Sequence, residues 1–395
     1  MIPFLLIFIY TLLSFLAALM TERCLRVWPR TADRVVRLWR FWLPPYILLS
    51  LVPVAGAFLP EGPLRLALQA AGNIWLGFYI YYGWILFMLL VPAEISRRIR
   101  GVQRSRLHGA ALCLALGLTV SLVSYGLVHA QSTVVTRQEI SIQKPGGEPE
   151  RETKEIRLAL IGDLHLGVNS KLSTTRRMVE LINAEEPDVV LIAGDVFTSS
   201  YSGLKNPADY AEALRGIRSK YGVYAVYGNH DVEETLFGGF PISPVSEAFR
   251  TQEMEAFFRD CGFTVLMDEG TYLGEDLQLY GRLDLDKSGD GTKNHLAPTE
   301  LLASADRNKP IVILQHEPKE FHALADAGAD MALCGHTHNG QIFPGNLVIP
   351  FFNENAYGYA RIGGLHTVVT SGVGYYGPPM RIGTDSEIMI LTIRY

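Results

Sequence analysis

The sequence predicts an α/β domain preceded by an all-α membrane region of four helices. Three observations carry that expectation. Four long apolar stretches, almost free of charge, fill the first 130 residues. From Ile156 onward, short apolar runs alternate with segments of helical pattern. Those runs lead into turns, most of them containing glycine, that carry Asp, Asn or His.

The apolar stretches are residues 2–20, 41–59, 71–92 and 109–129. Each is close to the ~20 residues that a helix needs to cross about 30 Å of hydrocarbon. Residues 2–20 lack a positive leading segment and are followed by further spans, so they read as a retained span, not a cleaved signal. Pro44, Pro45 and Pro53 make the second span a candidate for a kink or a partly re-entrant course. Residues 21–40 carry Arg23, Arg26, Arg30, Arg34, Arg37 and Arg40, and residues 93–108 carry Arg97, Arg98, Arg100, Arg104 and Arg106. The connection 60–70 has only Arg65. An excess of Arg marks cytoplasmic loops. The expected topology is therefore multi-pass in the cell membrane, with the N-terminus and everything after residue 130 extracytoplasmic.

Charge divides the chain in the same place. Residues 1–130 hold 12 Arg, no Lys and four acids (Glu22, Asp33, Glu61, Glu94), a net of +8, which leaves −13 for residues 131–395 out of a total of −5. An acidic domain argues against nucleic acid as an obligate partner. Cys24 and Cys113 fall in the membrane part, and Cys261 and Cys334 beyond it. Cys334 ends an apolar run and reads as a small core residue, so no structural disulfide is expected.

Residues 131–155 read as a linker with a first edge strand near 133–143. The domain proper, 156–395, opens a repeated pattern. Runs 157–161, 188–193, 221–227, 311–314 and 331–334 precede Gly162-Asp163, Gly194-Asp195, Gly228-Asn229, Gln315-His316 and Gly335-His336. Helical patterns occupy 173–185, 207–219, 246–261 and 317–328. Near-continuous apolar strands fit a sheet covered on both faces, with functional loops at the strands' carboxyl ends.

The turn residues define a chemistry. Asp, Asn and His supply the hard oxygen and imidazole ligands that suit water-activating divalent ions, and no cysteine pair suggests a structural zinc site. Two ions about 3.5–4 Å apart also need a bridging carboxylate, for which Asp195 is the natural choice. Any one of the five motif histidines, taken alone, would read as structural. All five, in this order at strand ends, read as a site.

The series Asp163-x-His165, Gly194-Asp195, Gly228-Asn229-His230-Asp231, His316, Gly335-His336-x-His338 resembles the calcineurin-like metallophosphoesterase superfamily over about residues 156–395. Gln341-Ile342, Ser371-Gly372-Val373-Gly374, Arg381 and Glu387 look like its bacterial membrane-anchored or exported subgroup. The resemblance implies a four-layer αββα sandwich of mixed sheets flanked by helices. It implies two divalent metal ions (Mn, Fe or Zn), one on Asp163, His165, Asp195 and His338 and the other on Asp195, Asn229, His316 and His336. Hydrolysis would proceed by attack of a hydroxide bridging them. His230 would serve the leaving oxygen as proton donor, and Asp231 would orient His230. Two positions depart from the common pattern. Thr198 stands where many relatives carry a second acid, a difference expected not to matter for catalysis. Asn339 stands where glycine is frequent, and Asn tolerates positive φ.

Arg282 and Asp284 are candidate substrate contacts or a surface turn, and Arg381 is a candidate phosphate contact or an ordinary ion-pair residue. Asp188 and Asp330 read as strand-entry residues, and His108, His129, His295, His322 and His366 as structural. Two segments expected near the mouth of the site are unusually apolar, 236–242 and 342–352. They are expected to pack on each other, or to meet the bilayer or an acyl chain. The leading functional expectation is a membrane-anchored phosphodiesterase or phosphomonoesterase acting on a phosphate ester, lipid-linked or of the envelope. A UDP-diacylglucosamine-type pyrophosphate hydrolase is the alternative, disfavoured by the predicted topology. A non-catalytic membrane sensor is the alternative of another class, and the scarcity of charge within the spans disfavours an ion pathway. Protein partners and oligomeric state stay open.

Overall fold

A computed structural model describes residues 2–26, 32–100, 104–143, 154–237 and 240–395. The chain forms two compact units. The first comprises Met1–Val128 with Thr235–Ile242 and Gly377–Met380, and the second comprises the remainder.

In the first unit, four helices follow one another: α1 (Ile2–Arg26), α2 (Ala32–Phe58), α3 (Pro63–Arg100) and α4 (Arg104–His129, whose last residue opens the second unit). All four are long and apolar enough to cross a membrane. Each extends beyond the apolar stretch that announced it, since arginine-bearing ends continue a helix as readily as leucines do. The second is helical through Pro44, Pro45 and Pro53, so no re-entrant break occurs there.

Strands are numbered along the chain: β1 (Thr133–Ser141), β2 (Glu155–Ile161), β3 (Val189–Ala193), β4 (Val223–Val226), β5 (Leu236–Phe237), β6 (Phe240–Pro241), β7 (Thr264–Val265), β8 (Glu269–Leu273), β9 (Leu277–Gly281), β10 (Ile311–Leu314), β11 (Met331–Cys334), β12 (Gly358–Ile362), β13 (Leu365–Val369) and β14 (Ser386–Arg394). Strands β5 and β6 form a hairpin in the first unit. Its Phe237 is buried among the helices, with its ring edge-on to Tyr10 at 5.6 Å. The expectation that segment 236–242 packs on 342–352 or meets lipid is therefore corrected for Phe237, whose apolar surface is taken up by helix side chains.

The second unit holds two six-stranded mixed sheets, ordered β1-β14-β2-β3-β4-β7 and β12-β13-β11-β10-β9-β8. Strand β1 is an edge strand, as its sequence suggested, and it pairs parallel with β14. Alternate side chains of the central strands enter two different cores. Leu158, Leu160, Val189 and Leu191 pack against Leu279, Val312, Leu314 and Leu333 of the other sheet. Ala159, Ile161, Val190 and Ile192 pack on Met178, Ile182, Leu214, Phe257 and Phe258 from helices α5 (Leu172–Ala184), α6 (Pro207–Arg215) and α7 (Gln252–Asp260). The second sheet is covered in the same way by Leu301, Phe321 and Leu324. The result is the four-layer αββα sandwich. Burial on both faces is why these strands read as unbroken apolar runs.

Two expected strand-entry residues behave as such. Asp188 accepts the Arg157 N–H at 2.8 Å, and Asp330 accepts that of Ile311 at 2.7 Å. None of the four cysteines is joined in a disulfide.

Candidate metal centre

The parallel strands β2, β3 and β4 of one sheet and β10 and β11 of the other deliver the motif residues. Asp163 and Asp195 lie two residues beyond β2 and β3, Asn229 three beyond β4, and His316 and His336 two beyond β10 and β11. Glycines permit the convergence. A Cβ on Gly194, at φ 81°, would lie 2.7 Å from His316 Nδ1, and one on Gly335 would lie 2.6 Å from Asp163 Oδ2. Asp163, His165, Asp195, His336 and His338 themselves adopt positive φ, from 45° to 73°. Such backbone is costly for non-glycine residues and is found where the surroundings over-determine it, often at functional sites. Asn339 has φ 51°, the conformation for which Asn is suited.

Every predicted ligand is brought together. Asp163, His165 and His338 present ligand atoms within 4.8 Å of one another, and so do Asp163, Asp195 and His316. His165 Nε2 lies 2.9 Å from His338 Nε2. His316 Nε2 and His336 Nδ1 are each 3.0 Å from Asn229 Oδ1 and 3.2 Å from each other. One oxygen, Asp195 Oδ2, faces both groups, 3.6 Å from His165 Nε2 and 3.1 Å from His316 Nε2.

Burial drives His165 and His336 down to about 3 and His338 well below the ordinary range. Each of these neutral rings keeps one nitrogen lone pair to offer a cation, and the Nε2 atoms of His165 and His338 converge at 2.9 Å. Burial opposes ionisation of Asp195, but the charges of His316 and His230 outweigh it and hold its carboxyl low. Burial pushes Asp163 up to about 7. The ring of His316 uses Nδ1 against the Ala193 carbonyl at 2.7 Å, which orients Nε2 toward Asp195. Converging imidazole lone pairs, carboxylates and one amide oxygen fit divalent cations that accept N and O ligands.

Several residues stand elsewhere than the sequence suggested. Asp231 does not back the His230 imidazole. Its two oxygens accept the N–H groups of Phe197 and Gly228, at 2.9 and 2.8 Å, and tie two motif loops together. The His230 ring instead meets Ser199, with Oγ 2.6 Å from Nδ1, and Glu234, with Oε1 at 3.4 Å. Tyr376 walls its other side at 4.6 Å between ring centres.

Arg282 and Arg381 are both fully buried. Arg282 donates to Gln315, Glu320 and the Leu296 carbonyl. Arg381 donates to the carbonyls of His338, Ser371, Gly372 and Gly374. Both are corrected from candidate substrate contacts to braces. Asp284 is buried too, with Oδ1 accepting the Asp286 and Lys287 N–H groups. Sequence reasoning missed Glu317, whose Oε1 stands 3.9 Å from His336 Nε2, on the side of the ring away from Asn229. Its only signal was adjacency to His316. It also missed Ser199, Glu234 and Lys287, for which no local motif exists.

An αββα sandwich with O- and N-donor residues converging at the carboxyl ends of both sheets defines the metal-dependent phosphoester hydrolases. Residues 156–340 match the family model for calcineurin-like phosphoesterases. Over 98% of its length the chain is 31% identical to a transmembrane protein with metallophosphoesterase domain from Danio rerio, of which the match covers 90%. It is 31% identical over 61% of its length to an uncharacterized metallophosphoesterase of Helicobacter pylori, covering 60% of that protein. A Bos taurus transmembrane protein with metallophosphoesterase domain is 28% identical over 77% of the chain and 67% of its own length. The chain belongs to the calcineurin-like metallophosphoesterases and is a phosphoesterase associated with a membrane. The sensor reading falls away, and the membrane-borne arrangement extends to relatives in animals.

Proposed function

We propose that the chain is a dinuclear phosphoesterase that hydrolyses a lipid-linked or envelope phosphate ester outside the cytoplasm. The observation that carries the dinuclear reading is the position of Asp195 Oδ2 between two ligand groups. Asp163, His165, Asp195 and His338 would hold one ion, and Asp195, Asn229, His316 and His336 the other, as Mn, Fe or Zn. Bound there, two such ions supply Lewis acidity to the phosphoryl oxygens and an activated water. The remaining work belongs to side chains. His230, beside Asn229, lies 5.5 Å ring to ring from His165. It donates a proton to the leaving oxygen as the P–O bond breaks. Tyr376 keeps that ring from tilting away from the centre.

A lipid substrate is favoured by segment 342–352. Leu347, Val348, Phe351 and Phe352 are all exposed, Phe351 at 84% and Phe352 at 77%, on a chain with four helices long and apolar enough to cross a membrane. Burying a Phe stabilises by about 1.5–3 kcal/mol, so two such rings at a lipid surface contribute appreciably. In detergent micelles, the Phe351→Ser/Phe352→Ser variant should lose about 10-fold or more on a micelle-embedded phosphodiester lipid relative to wild type. Turnover of a soluble diester should stay unchanged. Equal loss on both substrates, or no loss on either, contradicts lipid engagement.

The extracytoplasmic placement rests on the two Arg-rich loops of the first 108 residues. A C-terminal alkaline phosphatase fusion should be active in intact cells, whereas activity only of a cytoplasm-dependent reporter reverses the orientation.

A further inference from the structure

We infer that Glu234, acting through Ser199 and braced by Lys287, is the positioning carboxylate for the proton donor His230. This rests on the reading of His230 given above. Ser199 Oγ donates to Glu234 Oε1 at 2.7 Å and lies 2.6 Å from His230 Nδ1. With the hydroxyl hydrogen committed to the carboxylate, the oxygen lone pair is left to accept Nδ1–H. Lys287 Nζ donates to both oxygens of Glu234, at 2.8 and 2.7 Å. All four residues are buried. They come from three loops: Ser199 follows β3, His230 and Glu234 follow β4, and Lys287 follows β9.

A buried ion pair costs desolvation that its attraction does not always repay. Here the pair has a geometric product. Lysine holds the carboxylate in place, the carboxylate orients the hydroxyl, and the hydroxyl assigns Nδ1–H and fixes the ring plane. That leaves Nε2 as the nitrogen that carries the mobile proton. During cleavage a water-derived oxygen forms the new bond to phosphorus, the Nε2–H proton passes to the leaving oxygen, the electrons of the broken P–O bond stay with that oxygen, and the ring is left neutral with Nδ1–H on Ser199. A solvent proton then restores it. The backbone of Ser199 is held at φ 50°, with its N–H donating to the His230 carbonyl at 2.9 Å. Serine hydroxyl and histidine ring are thus locked together by main chain as well as side chain.

The test is a leaving-group series on the full chain in detergent, using aryl phosphodiesters, or monoesters if wild type turns those over, from 2,4-dinitrophenol to phenol. A poor leaving group needs the proton and a good one does not. His230→Ala is the benchmark. Glu234→Gln should lose about 10- to 100-fold more on the phenyl ester than on the dinitrophenyl ester, with metal content by elemental analysis equal to wild type. Because Glu234→Gln leaves Lys287 buried without its partner, Glu234→Gln/Lys287→Met is measured beside it and should show the same tilt. If His230→Ala tilts the series and both Glu234 variants lower all esters in parallel or not at all, the inference is overturned alone. If His230→Ala gives no tilt, the reading of His230 as proton donor fails and the inference with it.

Discussion

Asp195→Asn will lower kcat/KM on any phosphate ester by more than about a thousand-fold, beyond the 10²–10³ that loss of one transition-state donor costs. The expectation follows from one oxygen shared between two ligand groups. Asp195 Oδ2 faces His165 and His316, while Oδ1 accepts the His230 N–H at 2.8 Å. The substitution removes the negative charge that offsets buried His316 and offers an NH₂ to one of its neighbours. A single change would thus weaken both proposed metal positions and the loop that carries the proposed proton donor. Steady-state turnover of the purified variant checks it, and retention of a tenth of wild-type activity contradicts it.

Arg381→Met carries the largest expected effect on stability. The guanidinium is fully buried and donates to four carbonyls around the centre, with Nη2 at 2.6 Å from Ser371 O and 2.7 Å from Gly374 O. Methionine fills similar volume but donates nothing. A buried acceptor left unpaired costs about 1–3 kcal/mol, so four together should cost several. For a domain of this size roughly 2–4 °C is lost per kcal/mol, which puts the expected fall in Tm near 10 °C. Because His338 loses a backbone brace, metal should also dissociate more readily. Thermal unfolding followed by near-UV circular dichroism, with and without chelator, measures both. A Tm within about 2 °C of wild type contradicts the role of Arg381 as a brace.

What was legible in the sequence follows from physics that is local along the chain. Strands β2, β3, β4, β10 and β11 announced themselves because both faces are buried, and their ligands lie two or three residues past their ends. The residues proposed as metal ligands were legible as a converging set because Asp, Asn and His after a glycine turn have few other uses. The helices were legible in existence but not in length. What escaped depends on distance in space. Asp231 is next to His230 in sequence, yet the turn directs its carboxylate to two backbone N–H groups, and the ring finds Ser199 from 31 residues away. Lys287 reaches Glu234 across 53 residues. Arg282 and Arg381 looked available for phosphate because charge suggests solvent, and nothing local reveals that their donors are occupied by carbonyls and a buried amide. Phe237 looked available to the other apolar loop or to lipid because a lone hairpin gives no hint of the helices that cover it.

Metal content of the full chain, purified in detergent without chelator and measured by elemental analysis against protein concentration, tests the central claim most directly. The account predicts close to two equivalents of Mn, Fe or Zn in total, with phosphoesterase activity lost on their removal and restored on their return. One equivalent or fewer in fully active protein, or activity that survives complete metal removal, would contradict it.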